Sequence, residues 1–164
     1  MRGPLGGLRS LHVKEALAHL AAVYGLTVIP QGQGWDIPLP VRDNCMCELH
    51  IGPGACDWSA SVVDPADGRE LWSDWMDYLG YDKRPEVQLI EEKQQDLGSF
   101  VATWIAATGV RVTRTRKAIL WGLRHKTRVE VEWEHAGIWQ PIQIWEKLPP
   151  NKRMQLPARD VQGM

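Results

Sequence analysis

Cys45, Cys47, His50 and Cys56 lie within twelve positions of one another, close enough to raise the question of a metal. Thiolate and imidazole are the usual ligands of tetrahedral zinc, and a set of this size would complete a site. The spacing argues otherwise. Along an extended chain Cys45 and Cys47 share a face, whereas His50 falls on the opposite one, and a C-x-C pair is tighter than the usual zinc knuckle. Cysteine also behaves as a small hydrophobe in protein interiors. Reduced, structural thiols are therefore expected, with zinc as the lesser alternative. A cysteine nucleophile would need a basic partner and an orienting group. His50, His125 and His135 could supply the base, but no local signature accompanies any of them, and neither an enzyme nor a cofactor is expected.

Carboxylates form the second concentration. Between Asp57 and Asp96 eleven acids face four bases, Arg69, Lys83, Arg84 and Lys93. Asp74 and Asp77 flank aromatic residues in LWSDWMDYLGY, but a three-residue separation on a strand places them on opposite faces, which does not favour paired acid–base chemistry. An acidic surface is also what a protein that binds a basic partner displays. The expected partner-binding set is Trp72, Asp74, Trp75, Asp77, Glu91 and Glu92, with Trp72 or Trp75 as an aromatic anchor.

The pattern then inverts. Arg111, Arg114, Arg116, Lys117, Arg124, Lys126 and Arg128 follow with no acid among them, and Trp121 lies inside the run. Cations interleaved with an aromatic ring suit a nucleic-acid backbone and a stacked base. The competing expectation is cross-strand pairing with the outward row Glu130, Glu132 and Glu134. No G-x-G-x-x-G opens a helix, and neither a serine nucleophile elbow nor HExxH is present.

The elements that must position these residues follow from periodicity. The formal net charge is −1 over 164 residues, which excludes a globally basic nucleic-acid binder but not a local patch. Nine tryptophans stand against one phenylalanine and three tyrosines. Such rings suit half-buried strand faces. Ser10 is placed as an N-cap for a helix ended by Gly25. Pro30, Pro38 and Pro40 restrict the following segments to an edge or an irregular lead-in. Strands are expected over Cys45–Ile51, Asp57–Val63 and Glu70–Tyr78, then a helix over Pro85–Thr108. The helix carries a stripe of Val87, Ile90, Leu97, Val101, Trp104 and Ile105 with one gap. Gly98 weakens its middle, which points to close packing there. Strands then follow over Val110–Thr115, Ala118–Leu123 and Arg128–Glu134, the last alternating strictly, with a further one expected over Ile138–Trp145.

The fold class is accordingly α+β, an antiparallel β-meander of about five to seven strands with two main helices packed on one face. Residues 10–148 form the single domain, 1–9 a flexible N-terminus and 149–164 a disordered tail. No apolar stretch is long enough for a membrane-spanning helix, and the odd cysteine number argues for a reducing compartment, so a cytoplasmic location is expected.

The segment Leu71–Ile105 resembles the strand-then-helix unit of small bacterial proteins of unknown function, some similar to immunity proteins. The run NKRMQLPAR (Asn151–Arg159) resembles a C-terminal stretch of many uncharacterised bacterial reading frames, which implies a bacterial source. The leading functional expectation is a non-enzymatic protein-interaction module of immunity or antitoxin kind with a basic protein partner. A nucleic-acid-binding module using the 111–128 hairpin is the alternative, and a small-molecule-binding domain the third.

Overall fold

Alternation of large apolar with small or charged residues builds the first sheet. In the computed structural model, which describes residues 5–52, 58–76, 85–119 and 124–144, five strands pair antiparallel in the order of the chain: β1 (Ile29–Gln31), β2 (Gly34–Pro38), β3 (Met46–Ile51), β4 (Trp58–Val63) and β5 (Glu70–Met76). Residues directly opposite in an antiparallel ladder share a face. Cys47 and Val62 with Trp72, and Leu49 and Ala60 with Asp74, therefore lie on the inner side. Glu48, His50, Ser59, Ser61 and Trp75 lie on the outer side. Pro30 sits on the three-residue edge strand, and Pro38 lies beyond the stretch of β2 that β1 covers, so neither removes a ladder hydrogen bond. The turn at Gly32 carries its positive φ at the first central position, as a type II′ hairpin requires.

Helix α1 (Leu5–Tyr24) begins ahead of Ser10, which is thus internal rather than an N-cap. It ends as its sequence predicts. Gly25 takes φ +65° and the Leu26 amide donates to Ala21 O at 2.9 Å, the longer bond of a Schellman cap. Helix α2 (Glu86–Ala106) buries Leu97, Phe100, Val101 and Trp104. The gap in its apolar stripe is filled by Lys93, which with Asp96 is buried and engaged in interactions of its own. Val87, expected in the stripe, is exposed. A side-chain carbon added at Gly98 would meet open space, so this glycine lines a groove between the helices instead of allowing close packing.

Among the described residues the remaining strands form a second sheet, which corrects the expectation of one meander. β6 (Gly109–Ile119), β7 (Arg124–His135) and β8 (Ile138–Pro141) pair antiparallel with each other and with none of the first five. The physical reason lies in α2. Phe100 stands between the sheets, 5.4 Å from the Trp58 ring in an edge contact and 5.6 Å from Trp133. Aromatic edges and faces attract in such arrangements, and one core gathers the inner faces of both sheets with Leu17 of α1. The eight strands among the described residues exceed the expected five to seven; the α+β class and antiparallel pairing stand as expected. Among the described residues no helix is long and apolar enough to cross a membrane.

The connection between β2 and β3 ties the sheets together. Arg42 and Cys45 exchange backbone hydrogen bonds of 2.7 and 2.8 Å around Asp43 and Asn44, both at positive φ. From this tight turn Asp43 Oδ2 accepts the Val110 amide at 3.0 Å, and Arg42 donates to Ile105 O at 2.9 Å. The Trp104 indole donates to Pro40 O at 2.8 Å. Gly109 begins β6, and any side chain there would collide. A Cβ would stand 2.8 Å from Asp43 Oδ2 and 3.1 Å from the Trp139 ring. Gly109→Ala should therefore push the carboxylate off Val110 and destabilise the fold by about 1–3 kcal/mol. Urea unfolding checks this, with a lower midpoint at unchanged slope as the expected result.

Candidate functional site

The hairpin of β6 and β7 grades from core to solvent. At its root Val110, Val131 and Trp133 are buried. Val112, Thr113, Val129 and Glu130 are half-buried, and beyond them residues 114–118 and 124–128 are all exposed. Among the described residues β8 pairs only with Glu132–His135, the outer half of β7 has no second neighbour, and β6 is an edge throughout. The result is a two-stranded ribbon standing away from the body on both edges. Its paired outer part, Arg114–Ile119 against Arg124–Val129, runs roughly 17 Å at the rise of an antiparallel strand.

Charge follows the same gradient. At the root Arg111 Nε bonds Glu132 Oε2 at 2.7 Å and its guanidinium lies 4.1 Å over the Trp139 ring. That hydrogen bond to Glu132, with the surrounding carboxylates, raises the arginine above its ordinary pKa. The expected cross-strand pairing with the glutamate row is met at Arg111, Arg128 pairs with Glu130 along its own strand, and the neutralisation stops there. Arg114, Arg116, Lys117, Arg124 and Lys126 have no ion-pair partner among the described residues. Lys117 and Lys126 stand directly opposite each other, an arrangement that costs stability. Trp121, expected to stack on a base, lies outside the described residues.

The acidic set does not assemble as one surface. Trp72 and Asp74 point to the inner side of β5 and Trp75 to the outer. Asp74 serves the backbone: Oδ2 accepts the Ile144 amide at 3.0 Å and Oδ1 accepts its neighbour Trp75 at 2.9 Å. Asp77 lies outside the described residues. Glu91 is exposed and Glu92 half-buried, on the helix that covers the inner face. What sequence reasoning missed is the outer sheet face itself. There Trp75, 61% exposed, shares a surface with Asp36, Glu48 and Glu70, and the described strands place no lysine or arginine on it. Strand alternation applied to Glu48 and Trp75 together would have found it.

The cysteine cluster does not converge. Cys47 and Cys45 are buried free thiols, and burial pushes both thiols up, Cys47 far up with help from Glu48 and Cys45 with help from Asp43 and Asp64. His50 lies on the far side of β3, its Nδ1 2.6 Å from Asp36 Oδ1. Cys56 lies outside the described residues, among which no group of three or more His, Cys, Asp or Glu side chains could hold a metal. Ser59 stands opposite His50 on β4, so Asp36, His50 and Ser59 cross three strands in the order of a hydrolase triad. The row lies on an open face of interior strands whose amides are engaged in the ladder, so it lacks the aimed donors that acyl transfer needs. The groove of about 620 Å³ between the helices is lined by His19, Tyr24, Gln94 and Ser99 among others, without a cysteine or carboxylate. It does not have the convergence expected of a reactive pocket.

Comparison with protein-family models, curated proteins and solved structures gives no match to this chain.

Two outcomes follow from this geometry. Asp74→Ala leaves the Ile144 amide without its acceptor and should destabilise the protein by about 1–3 kcal/mol, read as a lower thermal midpoint. Cys45 and Cys47 should resist maleimide at roughly pH 8, where an exposed thiol is partly ionised. Both should react after urea unfolding, with peptide mass spectrometry assigning the sites.

Proposed function

We propose that the protein binds nucleic acid through the outer half of the β6–β7 hairpin. One observation carries the reading: between Arg114 and Val129 there are six arginines and lysines and no acid, on a ribbon whose outer residues are exposed and whose cations are, with the exception of Arg128, unpaired among the described residues. Charges on a bare strand edge also discourage edge-to-edge aggregation. Protection of that kind works with either sign, however, and does not explain a single sign or the opposed lysines. A polyphosphate does, because each phosphate neutralised releases condensed counterions. The net charge of −1 confines the attraction to the arm.

The test is affinity for fluorescein-labelled oligonucleotides as a function of salt. Five unpaired cations predict a slope of log affinity against log salt of about −4. Lys117→Glu together with Lys126→Glu should weaken binding at least roughly tenfold at low salt with an unchanged circular dichroism spectrum, since both residues are exposed. An unaltered affinity in that variant would refute the reading.

A second reading rests on the outer face of the first sheet, which carries exposed Trp75 together with Asp36, Glu48 and Glu70. This supports the interaction-module expectation, relocated from Trp72 and Asp74, with a basic protein as partner. Trp75→Ala and Glu48→Lys should each abolish capture of such a partner from the native host. Capture that survives both changes would remove this reading.

A further inference from the structure

We infer that the arm recognises double-stranded DNA specifically, by entering the major groove; this rests on the nucleic-acid reading above. Direct opposition in the β6–β7 ladder sorts the cations onto both faces of the ribbon. Arg114 and Arg116 share one face with Thr127 and His125, two positions further along. Lys117 and Thr115 share the other with Lys126 and Arg128. A platform for single strands presents cations along one groove together with aromatic rings on which bases stack. The outer residues of both strands, 114–118 and 124–128, are exposed on both faces of the ladder alike. Cations on both faces instead meet two walls of phosphate.

The dimensions agree. The major groove of B-form DNA, about 12 Å wide, admits a two-stranded β-ribbon. Among the described residues both backbone edges of the outer ribbon are free, because the last backbone bond to β7 from the β8 side is Ile142 N–H to Val131 O and β6 has no partner on its other side. Nothing described flanks the ribbon that would hold it out of a groove. Arg114 and Arg116 on one face and Lys117 and Lys126 on the other then reach opposite walls. The repulsion between Lys117 and Lys126 is relieved there by phosphate. Duplex RNA offers no equivalent, since its major groove is deep and narrow.

The experiment compares four labelled probes of one sequence, about 20 base pairs long so as to exceed one turn. They are duplex DNA, single-stranded DNA, duplex RNA, and duplex DNA whose cytosines carry glucosylated hydroxymethyl groups that fill the major groove. Anisotropy titrations of the full chain at low salt should show duplex DNA bound roughly tenfold or more tightly than the other three. Netropsin, which occupies the minor groove, should not compete. Arg116→Glu and Lys117→Glu, changed one at a time on opposite faces, should each weaken the duplex complex. Equal affinity for single-stranded or RNA probes, insensitivity to glucosylation, or competition by netropsin overturns the groove inference and leaves the nucleic-acid reading standing. No binding to any probe at low salt overturns both.

Discussion

Asp43 occupies a left-handed turn position and spends its carboxylate on the amide of Val110, more than sixty residues away. That bond, with the Arg42 contact to Ile105 O and the Trp104 contact to Pro40 O, joins the β2–β3 connection to the end of α2 and the start of β6. Two sheets that share no backbone ladder depend on such a joint for their mutual placement. The joint closes only because residue 109 is a glycine, which lets Asp43 and Trp139 approach the strand together. A buried amide left without an acceptor is costly, so the contact fixes where β6 begins and hence where its outer half emerges.

The electrical division of the molecule is built on that placement. Outward strand positions of the first sheet carry Asp36, Glu48 and Glu70, whereas the free half of the hairpin carries only cations. A net charge near zero hides the contrast, because summed charge reports nothing about separation. At the root of the hairpin the glutamate row meets its arginines, and Arg111 is further held over Trp139. The Arg111–Glu132 pair thus occupies the root that packs, and, apart from Arg128, unneutralised cations occupy the part that does not.

Local patterns in the sequence are faithful where packing obeys alternation or a cap has an obvious residue. Trp58, Ala60 and Val62 alternate along the strand expected there and are buried on one face, and Gly25 ends α1 as expected. The core of α2 was legible only in part. Lys93 fills the gap in its stripe although its charge argues for solvent, and Phe100 proves to be the wedge between the sheets. The division into two sheets was not legible, since it depends on that ring meeting Trp58 and Trp133 from distant segments. Asp74 misled for a related reason: an acidic residue between tryptophans looks like a surface feature, yet its carboxylate is committed to the Ile144 amide. The basic hairpin was visible as a charge run. Its projection from the body was not, because that follows from where β8 stops.

A free two-stranded ribbon is marginal in water by itself, and like charges placed opposite each other weaken it further. The ribbon here endures because its root is secured by burial of Val110, Val131 and Trp133 and because threonines at 113, 115 and 127 favour the extended backbone. Rigidity at the root with repulsion at the outer half is a poor solution for stability alone. It is a coherent one for a surface whose lowest free energy is reached against an external polyanion, where the same charges that strain the free ribbon become its contacts. On the nucleic-acid reading proposed above, the repulsion between Lys117 and Lys126 is relieved on binding, and both the repulsion and the binding weaken as salt rises.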